Sequence, residues 1–415
     1  MMHDTMTLSL EGALAGTTPQ RARIEIDCTT GLMASIGSPT GTADLVLDDS
    51  HLILPGLIDF HVHAREDASG RDTYKEDFQT AARAAIRGGI TAMVDMPNNP
   101  VAPIDAASYE KKRELASKAP VEIFLYAGIG PRSFPLPYPV PYKVYMGPSV
   151  GDLFFESEGQ LRDALSRYAG QWITFHAEKP EILRACKDRT HHHERRPPEA
   201  EIEAVELALR LAREIGFTAH IAHLSTRGGL EAIRAARRAG QSASCEVTQH
   251  HLSMDLGSLK TFPKPGFLQC NPPLRSATDR LALLDAFRAG EIDFLASDHA
   301  PHSLEENERG ISGMPHLDTS GAFLFWLRDQ GVNWETILDA ACVRPGRTLA
   351  RFFPGKRGVI EAGAVGSLTI LNTRRPATID RNRLATRSGW SPFEGLTFAG
   401  VVAYTVVRGV LHRAE

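Results

Sequence analysis

Two histidines separated by one residue close an apolar stretch of the chain, LILPGLIDFHVH, residues 52–63. In an extended strand, side chains two positions apart point to the same face, so His61 and His63 present their imidazoles side by side at the end of the strand. Paired imidazoles can bind a borderline metal ion such as zinc. The alternative is a pair of hydrogen-bonded histidines at a sheet edge, and the pair alone does not decide between the two.

Other side chains that bind metals follow other apolar stretches. His176 ends WITFH, His223 ends TAHIAH, and Asp298 ends IDFLASD. A single histidine at a strand end is usually structural, but several such residues at the ends of parallel strands would meet at one rim. Imidazole nitrogen and carboxylate oxygen both suit zinc, so the set predicts a metal site.

Lys143 lies in PYKVYMGPS, a run that otherwise predicts a buried strand. A lysine on an edge strand that reaches solvent is the alternative. A buried lysine has a lowered pKa and can react with carbon dioxide to give a carbamate, which binds metals as a carboxylate does. Four histidines, one aspartate and this carbamate would be enough ligands for two metal ions sharing a hydroxide, a nucleophile at neutral pH.

An alternation of short apolar strands with amphipathic helices, which begins at residue 51, must position these residues. The predicted strands are 54–60, 91–96, 121–127, 142–146, 172–176, 218–223, 243–247 and 292–297. The predicted helices are 77–87, 105–117, 159–168, 199–215, 227–239 and 277–289. This order predicts an α/β fold, a closed (β/α)8 TIM-type barrel, whose active site lies at the C-terminal ends of the strands.

Short strands and turns flank this alternation on both sides. Residues 1–50 contain short alternating runs broken by Gly, Pro and Thr, and similar runs return after about residue 355, in VIEAGAVGSLTILN and AGVVAYTVVRGVLHR. We therefore expect residues 51–354 to form the barrel, and residues 1–50 and 355–415 to pair into one small composite β domain.

The composition narrows the class of function. A chain of 415 residues with 42% hydrophobic content can bury a large core. With 46 basic and 50 acidic residues the formal charge is −4, which favours neither nucleic acid nor an anionic membrane, so we expect a small-molecule substrate. No stretch approaches the ~20 apolar residues of a membrane span. Five scattered cysteines indicate a reducing compartment, and we predict a cytoplasmic protein.

These residues, taken together in their order, resemble the dihydroorotases, which belong to the cyclic-imide-hydrolase branch of the amidohydrolase superfamily. The resemblance runs from about residue 53 to the end and is carried by PGLIDFHVH, HVHARED with YKED, DMPNNP, KVYMG, HAE with RPPEAE, HLSTRGG, EVTQHH, NPPLR, ASDHAPH, GSLTILN and SPFEG. It implies the reversible hydrolysis of dihydroorotate to N-carbamoyl-L-aspartate, a step of pyrimidine biosynthesis, through attack of a metal-bridging hydroxide on the ring amide.

The resemblance also implies roles for particular residues. The implied ligands of two zinc ions are His61, His63 and Asp298 on one, His176 and His223 on the other, and carboxylated Lys143 on both. Asp298 resembles the catalytic residue that moves the proton from the hydroxide to the departing nitrogen. The implied substrate-binding residues are Arg65, Asn98 and His302, which would bind the substrate carboxylate, and Asn271, which would contact the pyrimidine ring.

The chain departs from the family pattern at Asp67, Asn99 and Gln249, and SGMPHLDTS is a loose match to its counterpart. None of these changes removes an implied ligand. The tract 191–193, three histidines beside ERRPP, is expected to be a solvated loop, and His220, His250, His251 and His299 are expected to be structural.

Two other functions stay open at this stage. The first is another cyclic-amide hydrolase, such as a hydantoinase, dihydropyrimidinase or allantoinase, which would share the metals but not Arg65. The second is a non-catalytic homologue that acts as a scaffold for aspartate transcarbamoylase. A homodimer and an association with aspartate transcarbamoylase are expectations from the resemblance.

Overall fold

The computed structural model describes residues 6–16, 18–39, 41–147 and 153–414. In these ranges the strands are β1 (Thr7–Leu14), β2 (Gln20–Asp27), β3 (Leu32–Gly37), β4 (Leu45–Val46), β5 (His51–Pro55), β6 (Leu57–Val62), β7 (Ile90–Asp95), β8 (Glu122–Leu125), β9 (Ala127–Gly128), β10 (Tyr142–Tyr145), β11 (Trp172–His176), β12 (Thr218–Ile221), β13 (Ala243–Thr248), β14 (Phe294–Ala296), β15 (Leu368–Asn372), β16 (Ala377–Thr378), β17 (Thr397–Phe398), β18 (Val401–Val407) and β19 (Val410–Arg413).

The helices connect and cover these strands. They are α1 (Phe78–Arg87), α2 (Ala106–Ala116), α3 (Glu158–Leu165), α4 (Pro180–Ala185), α5 (His192–Arg195), α6 (Pro198–Ile215), α7 (Arg227–Arg238), α8 (Gln249–Ser253), α9 (Ser258–Thr261), α10 (Ala277–Arg288), α11 (Leu304–Glu308), α12 (Ser320–Asp329), α13 (Trp334–Leu338) and α14 (Arg344–Leu349). Within the described ranges, no helix is long and apolar enough to span a membrane.

Parallel strands close into a barrel. β6, β7 and β8 form one set, β9 to β14 form another in sequence order, and β8 and β9 are separated by one residue, so that they act as one strand of the barrel. The first and last strands meet where Val62 bridges His299 and the backbone N–H of His63 donates to the His299 carbonyl at 2.8 Å. The predicted (β/α)8 barrel is confirmed.

A second, mixed sheet is built from both ends of the chain. Its order is β19-β18-β15-β5-β1-β2-β3, with β4 also paired to β1, and β15 lies antiparallel to β5. Apolar side chains of these strands, together with Leu47 just after β4, form a core of their own; the strand residues are Leu10, Ile24, Ile26, Met33, Ile53, Leu368, Ile370 and Val406. The two β-rich ends therefore share one sheet, while the segment limits 1–50, 51–354 and 355–415 stay a prediction.

The predicted strand 54–60 is wrong in one respect, because the stretch belongs to two sheets. β5 ends at Pro55 in the mixed sheet and β6 begins at Leu57 in the barrel. Gly56 lies between them, where a Cβ atom would stand 2.2 Å from Oγ1 of Thr91. Only glycine allows the chain to pass this close to β7 as it leaves one sheet for the other.

The six predicted helices all occur, with ends within a few residues of the prediction. Asp77 caps α1 by accepting from the Thr80 N–H, and Gly216 ends α6 with a left-handed φ of 88°. The helices after residue 300 were not predicted. α12 is one of these, and it buries residues on most of its surface, so it lacks the polar face from which an amphipathic helix is recognised.

The hydroxyl of Thr369 joins the mixed sheet to the barrel. It donates to the Gly89 carbonyl at 2.6 Å and accepts from the Leu57 N–H at 3.1 Å, and the residue is fully buried. Thr369→Val keeps the shape but leaves both backbone groups without that partner. We expect the free energy of unfolding to fall by about 2–6 kcal/mol in urea titrations, at about 1–3 kcal/mol for each of the two unsatisfied groups.

Thr378→Val is the matched control for this substitution, because its hydroxyl pairs with that of Thr397 on the exposed surface. We expect it to change the free energy of unfolding by less than about 0.5 kcal/mol. Equal stability of Thr369→Val and wild type would contradict the role of the Thr369 hydroxyl.

Candidate active site

A cavity of about 490 Å³ opens at the C-terminal ends of the barrel strands. Parallel strands bring their terminal residues to this one end, where the barrel fold places its active sites. Nine of the ten predicted site residues line the cavity: His61, His63, Arg65, Asn98, His176, His223, Asn271, Asp298 and His302. The tenth, Lys143, is completely buried in β10.

Three of these residues form a compact group of possible metal ligands. The Nε2 atoms of His61 and His63 each lie 3.2 Å from Oδ1 of Asp298. The ligand atoms of all three residues lie within 4.8 Å of one another. His61 and Asp298 are buried, so an ion between them would be largely removed from bulk water.

His176 and His223 lie beside this group. Nδ1 of His176 is 2.9 Å from Nε2 of His223, and the centre of the His223 ring is 5.2 Å from that of His61. Histidines from the first, fifth and sixth strands of the barrel therefore converge, although they are far apart in the sequence. The predicted assembly of the four histidines at one rim is thus present in the geometry.

Three of the four histidines have a protein oxygen on the ring nitrogen that faces away from the cluster. His61 contacts Glu246 through Nδ1, His63 contacts Asn98 at 2.8 Å through Nδ1, and His176 contacts Glu178 at 2.8 Å through Nε2. Such contacts fix the tautomer of a metal-binding imidazole and leave the other nitrogen as the donor. These side chains therefore fit a bound metal ion.

The charge states also fit a metal. Burial lowers the pKa of His61 to about 4, so its imidazole is neutral near pH 7, as a ligand must be. Burial raises the pKa of Asp298, while the nearby His61 and Lys143 act in the opposite direction. Burial alone would raise the pKa of Glu246, but His61 and His220 hold it well below its usual range.

Lys143 is a buried amine whose Nζ atom has no hydrogen-bond partner among the described residues. Burial lowers its pKa to about 8, against the attraction of Glu246 and Asp298. Burying an amine without a hydrogen-bond partner costs free energy unless another group pairs with it. The edge-strand alternative fails, because β10 lies between β9 and β11.

The backbone is strained at three of the site residues. Among the described residues that are not glycine, φ is positive only at Arg65 (65°), His223 (35°), Asp298 (48°) and Arg408 (50°). A residue with a side chain adopts this region at a cost of about 1–3 kcal/mol. Strain concentrated at the strand ends is the pattern expected where side-chain direction matters more than stability.

A cationic and polar group of side chains also lines the cavity, next to the histidines. The Arg65 guanidinium donates to the Pro301 carbonyl at 3.2 Å and lies 3.1 Å from Nε2 of His302. Asn98 accepts from His63 through Oδ1, so its Nδ2 is the donor of the amide that this contact does not use. Asn271 also faces the cavity, and its Oδ1 has no hydrogen-bond partner among the described residues.

The comparison with known protein families gives a match over most of the chain. The model of the amidohydrolase family matches residues 52–411. The chain belongs to the amidohydrolase family. Amidohydrolases generally use a metal, in keeping with the cluster of His61, His63 and Asp298.

The sequence relatives of this amidohydrolase are described as dihydroorotases, and a similar solved structure is described as a hydantoinase. It is 34% identical over 375 residues to a dihydroorotase of Thermococcus kodakarensis, covering 89% of this chain and 85% of the relative. It is 34% identical to a dihydroorotase of Halobacterium salinarum, with 86% and 85% covered. Among solved structures it is similar to an L-hydantoinase (dihydropyrimidinase) of Arthrobacter aurescens, with a TM-score of 0.87, 25% identity, and 97% and 95% covered.

A second group of possible ligands, formed by His250, His251 and Cys270, lies close together in the interior of this amidohydrolase. Both ring nitrogens of His251 are already engaged, Nδ1 with the Thr248 hydroxyl at 2.9 Å and Nε2 with the Pro272 carbonyl at 3.1 Å. A metal here would have to break one of these contacts. The first group is therefore the better candidate.

Three charged residues around the histidines were not singled out from the sequence: Glu246 and Glu178, which are fully buried, and Arg196, which lines the cavity. Glu246 contacts His61, His220 and the backbone N–H of His223, Glu178 contacts His176, and Arg196 donates to Glu178. A glutamate within the apolar strand 243–247 was the available signal for Glu246. The spacing of two from His176 was the signal for Glu178.

The sequence predicts a solvated loop for the tract 191–193, but the structure differs from this prediction. His192 lies in the short helix α5, and its Nε2 is 2.9 Å from the carbonyl oxygen of Cys270. Cys270 precedes Asn271 and lines the cavity, so His192 supports the cavity wall. The neighbouring rings of His191 and His193 stack on each other, with centres 5.6 Å apart.

Proposed function

We propose that this protein is a dihydroorotase, which hydrolyses dihydroorotate reversibly to N-carbamoyl-L-aspartate. The observation that carries the proposal is one cavity lined by two sets of side chains, which we assign as a carboxylate-binding side and a metal-binding side. We assign Arg65, Asn98 and His302 to the first, and the four histidines with Asp298 to the second. The identity to dihydroorotases over most of the chain supports the same substrate.

The first side selects a ring that bears a carboxylate. The Arg65 guanidinium is a planar set of donors that matches carboxylate geometry, and Nδ2 of Asn98, which the contact with His63 does not use, adds a further donor. His302 accepts a hydrogen bond from Arg65, and we infer that the substrate carboxylate takes the place of this acceptor. Asn271 would orient the ring. An uncharged cyclic amide lacks the group that Arg65 would bind.

The second side carries the hydrolysis. We propose two zinc ions, held by His61, His63, His176, His223, Asp298 and carboxylated Lys143; when bound, they supply polarisation of the amide carbonyl and acidification of water. Asp298 takes a proton from the attacking water and delivers it to the ring nitrogen. One C–O bond forms and the ring C–N bond breaks, so that the product keeps the carbon and nitrogen atoms of the ring.

Carboxylation of Lys143 follows from its surroundings and makes a prediction. An amine with a pKa of about 8 is partly neutral at physiological pH and can add to carbon dioxide, losing one proton as the N–C bond forms. We expect protein supplied with ¹³C-bicarbonate to show one carbamate resonance in its ¹³C NMR spectrum. Lys143→Met should lose this resonance. Its kcat should fall by about 100-fold or more, because the variant lacks a proposed metal ligand and catalysis depends on the geometry of the ligands.

Lys112→Met is a matched control, because Lys112 is also a completely buried lysine, but its ammonium is paired with Asp95 and Asn99. It should keep the carbamate resonance of Lys143. A wild-type spectrum without any carbamate signal, recorded on fully active enzyme, would contradict carboxylation.

The experiment that tests the function is a coupled assay of dihydroorotate hydrolysis and carbamoyl aspartate cyclisation, with zinc quantified on the same sample. We expect turnover in both directions and two zinc ions per chain. Turnover of hydantoin without turnover of dihydroorotate would overturn the substrate, and a folded protein with neither zinc nor activity would favour the scaffold. A homodimer, an association with aspartate transcarbamoylase and a cytoplasmic location stay predictions.

A further inference from the structure

Glu178 has a place in the site that the catalytic scheme above does not use. It follows His176 by two residues, it is completely buried, and its Oε2 lies 2.8 Å from Nε2 of His176. An ionised carboxylate can only accept a hydrogen bond, so Nε2 of His176 carries the proton. The lone pair of His176 is thereby placed on Nδ1, the atom that faces Nε2 of His223.

Arg196 holds this glutamate from the other side. Its guanidinium donates to the same Oε2 of Glu178, while its own backbone carbonyl accepts from the guanidinium of Arg275. Nε of Arg275 in turn donates to the Ser225 hydroxyl at 3.0 Å. Ser225 follows His223 by two residues. The chain of contacts therefore connects the segment after His176 to the segment after His223.

We propose that Glu178, anchored by Arg196, is a positioning residue that fixes the tautomer of His176 and so determines the affinity of the metal position formed by His176 and His223. This inference rests on the proposed function. Oε2 of Glu178 makes the contacts with both His176 and Arg196, whereas Oε1 has no hydrogen-bond partner among the described residues.

The contacts of the other histidines show why Glu178 can be tested separately. Glu246 meets His61, His220 and the backbone of His223 at once, so its loss would disturb several elements. The amide of Asn98 supports His63 but also faces the substrate. The hydrogen bonds of the Glu178 carboxylate go only to His176 and Arg196 in the described part of the chain.

The experiment measures zinc affinity by competition with a chromogenic chelator, and the absorption spectrum of the cobalt-substituted protein. Glu178→Leu removes the acceptor and should weaken the binding of one of the two zinc ions by about 10- to 100-fold, the range found for such outer contacts. Glu178→Gln retains an acceptor oxygen that Arg196 can hold toward His176, and it should lose less. The cobalt spectrum should change for one ion only.

Glu122→Leu is the matched control, since Glu122 also forms a largely buried ion pair, with Arg357 at 2.8 and 2.9 Å, at the opposite end of the barrel. We expect it to lower stability without changing zinc affinity. If Glu178→Leu does not fold, the double variant Glu178→Gln with Arg196→Met frees the amide to rotate and should show the same loss. Wild-type affinity for both ions in the folded variants would overturn the inference.

The two proposals fail separately in this design. Zinc competition needs no substrate, so a wild-type protein that binds two zinc ions but turns over only an uncharged ring would overturn the substrate and leave the role of Glu178 intact. Turnover of dihydroorotate by wild type, combined with unchanged zinc affinity in Glu178→Leu, would overturn the role of Glu178 alone.

Discussion

Asp298→Asn is expected to lower kcat for dihydroorotate by roughly 10²- to 10⁴-fold, the range for loss of a general acid–base group. Asparagine has nearly the same shape, but its amide cannot take up the proton of the attacking water or return it to the ring nitrogen. In the structure Oδ1 of Asp298 lies 3.2 Å from both His61 and His63, so the side chain is held at the centre of the cluster. The measurement is a steady-state assay in both directions at saturating zinc.

Asp293→Asn provides the control for loss of one aspartate charge, at a half-buried position. Asp293 precedes β14, at the opposite end of the strand from Asp298, and pairs with Arg237. We expect this variant to retain the wild-type kcat even where its stability falls. The proton-transfer role of Asp298 would be untenable if Asp298→Asn bound zinc and turned over dihydroorotate at the wild-type rate.

Arg65→Met is expected to reduce kcat/KM for dihydroorotate by roughly 30- to 4,000-fold. Losing one partner of a desolvated charge pair costs about 2–5 kcal/mol, and each 1.4 kcal/mol is about tenfold. The zinc content should not change, because within the described ranges the hydrogen bonds of the Arg65 side chain go to Pro301 and His302 and not to a proposed ligand. Steady-state kinetics and zinc analysis on one preparation measure both quantities.

Arg167→Met is the control for this substitution. Arg167 is also half-buried and donates to backbone carbonyls, those of Ser133 and Pro131, but it lies outside the cavity. We expect its kcat/KM to equal that of wild type. If Arg65→Met retained full activity on dihydroorotate, or lost equal activity on an uncharged ring, the proposed carboxylate contact would be excluded.

The barrel could be predicted from sequence because the periodicities of apolar residues in its strands and in its helices are local patterns. α6, for example, shows an apolar stripe and a terminal Gly216, and both appear in the structure. The ends of the strands could be predicted for the same reason. Residues at the C-terminal ends of parallel barrel strands must share one rim. The convergence of His61, His176, His223 and Asp298 could therefore be predicted without any distance.

The contacts behind the site could not be predicted in the same way, because they join residues that no local pattern connects. Glu246 meets His61 across 185 positions of the chain, and Arg196 reaches Glu178 from a different segment. The change from one sheet to the other at Gly56 was not predicted, for a related reason. Residues 52–62 are all buried, so a run that serves two sheets in turn has no polar interruption to mark the change.

The mixed sheet has a consequence for biosynthesis. Its central strand pair joins β5, made early, to β15, which leaves the ribosome more than 300 residues later. Until β15 has been made, the edge of β5 that pairs with it has no partner strand, and the apolar face of β1, β2 and β5 is incomplete. During translation these strands therefore present a surface that a chaperone would bind. We expect nascent chains truncated before residue 368 to be the species that such a factor retains.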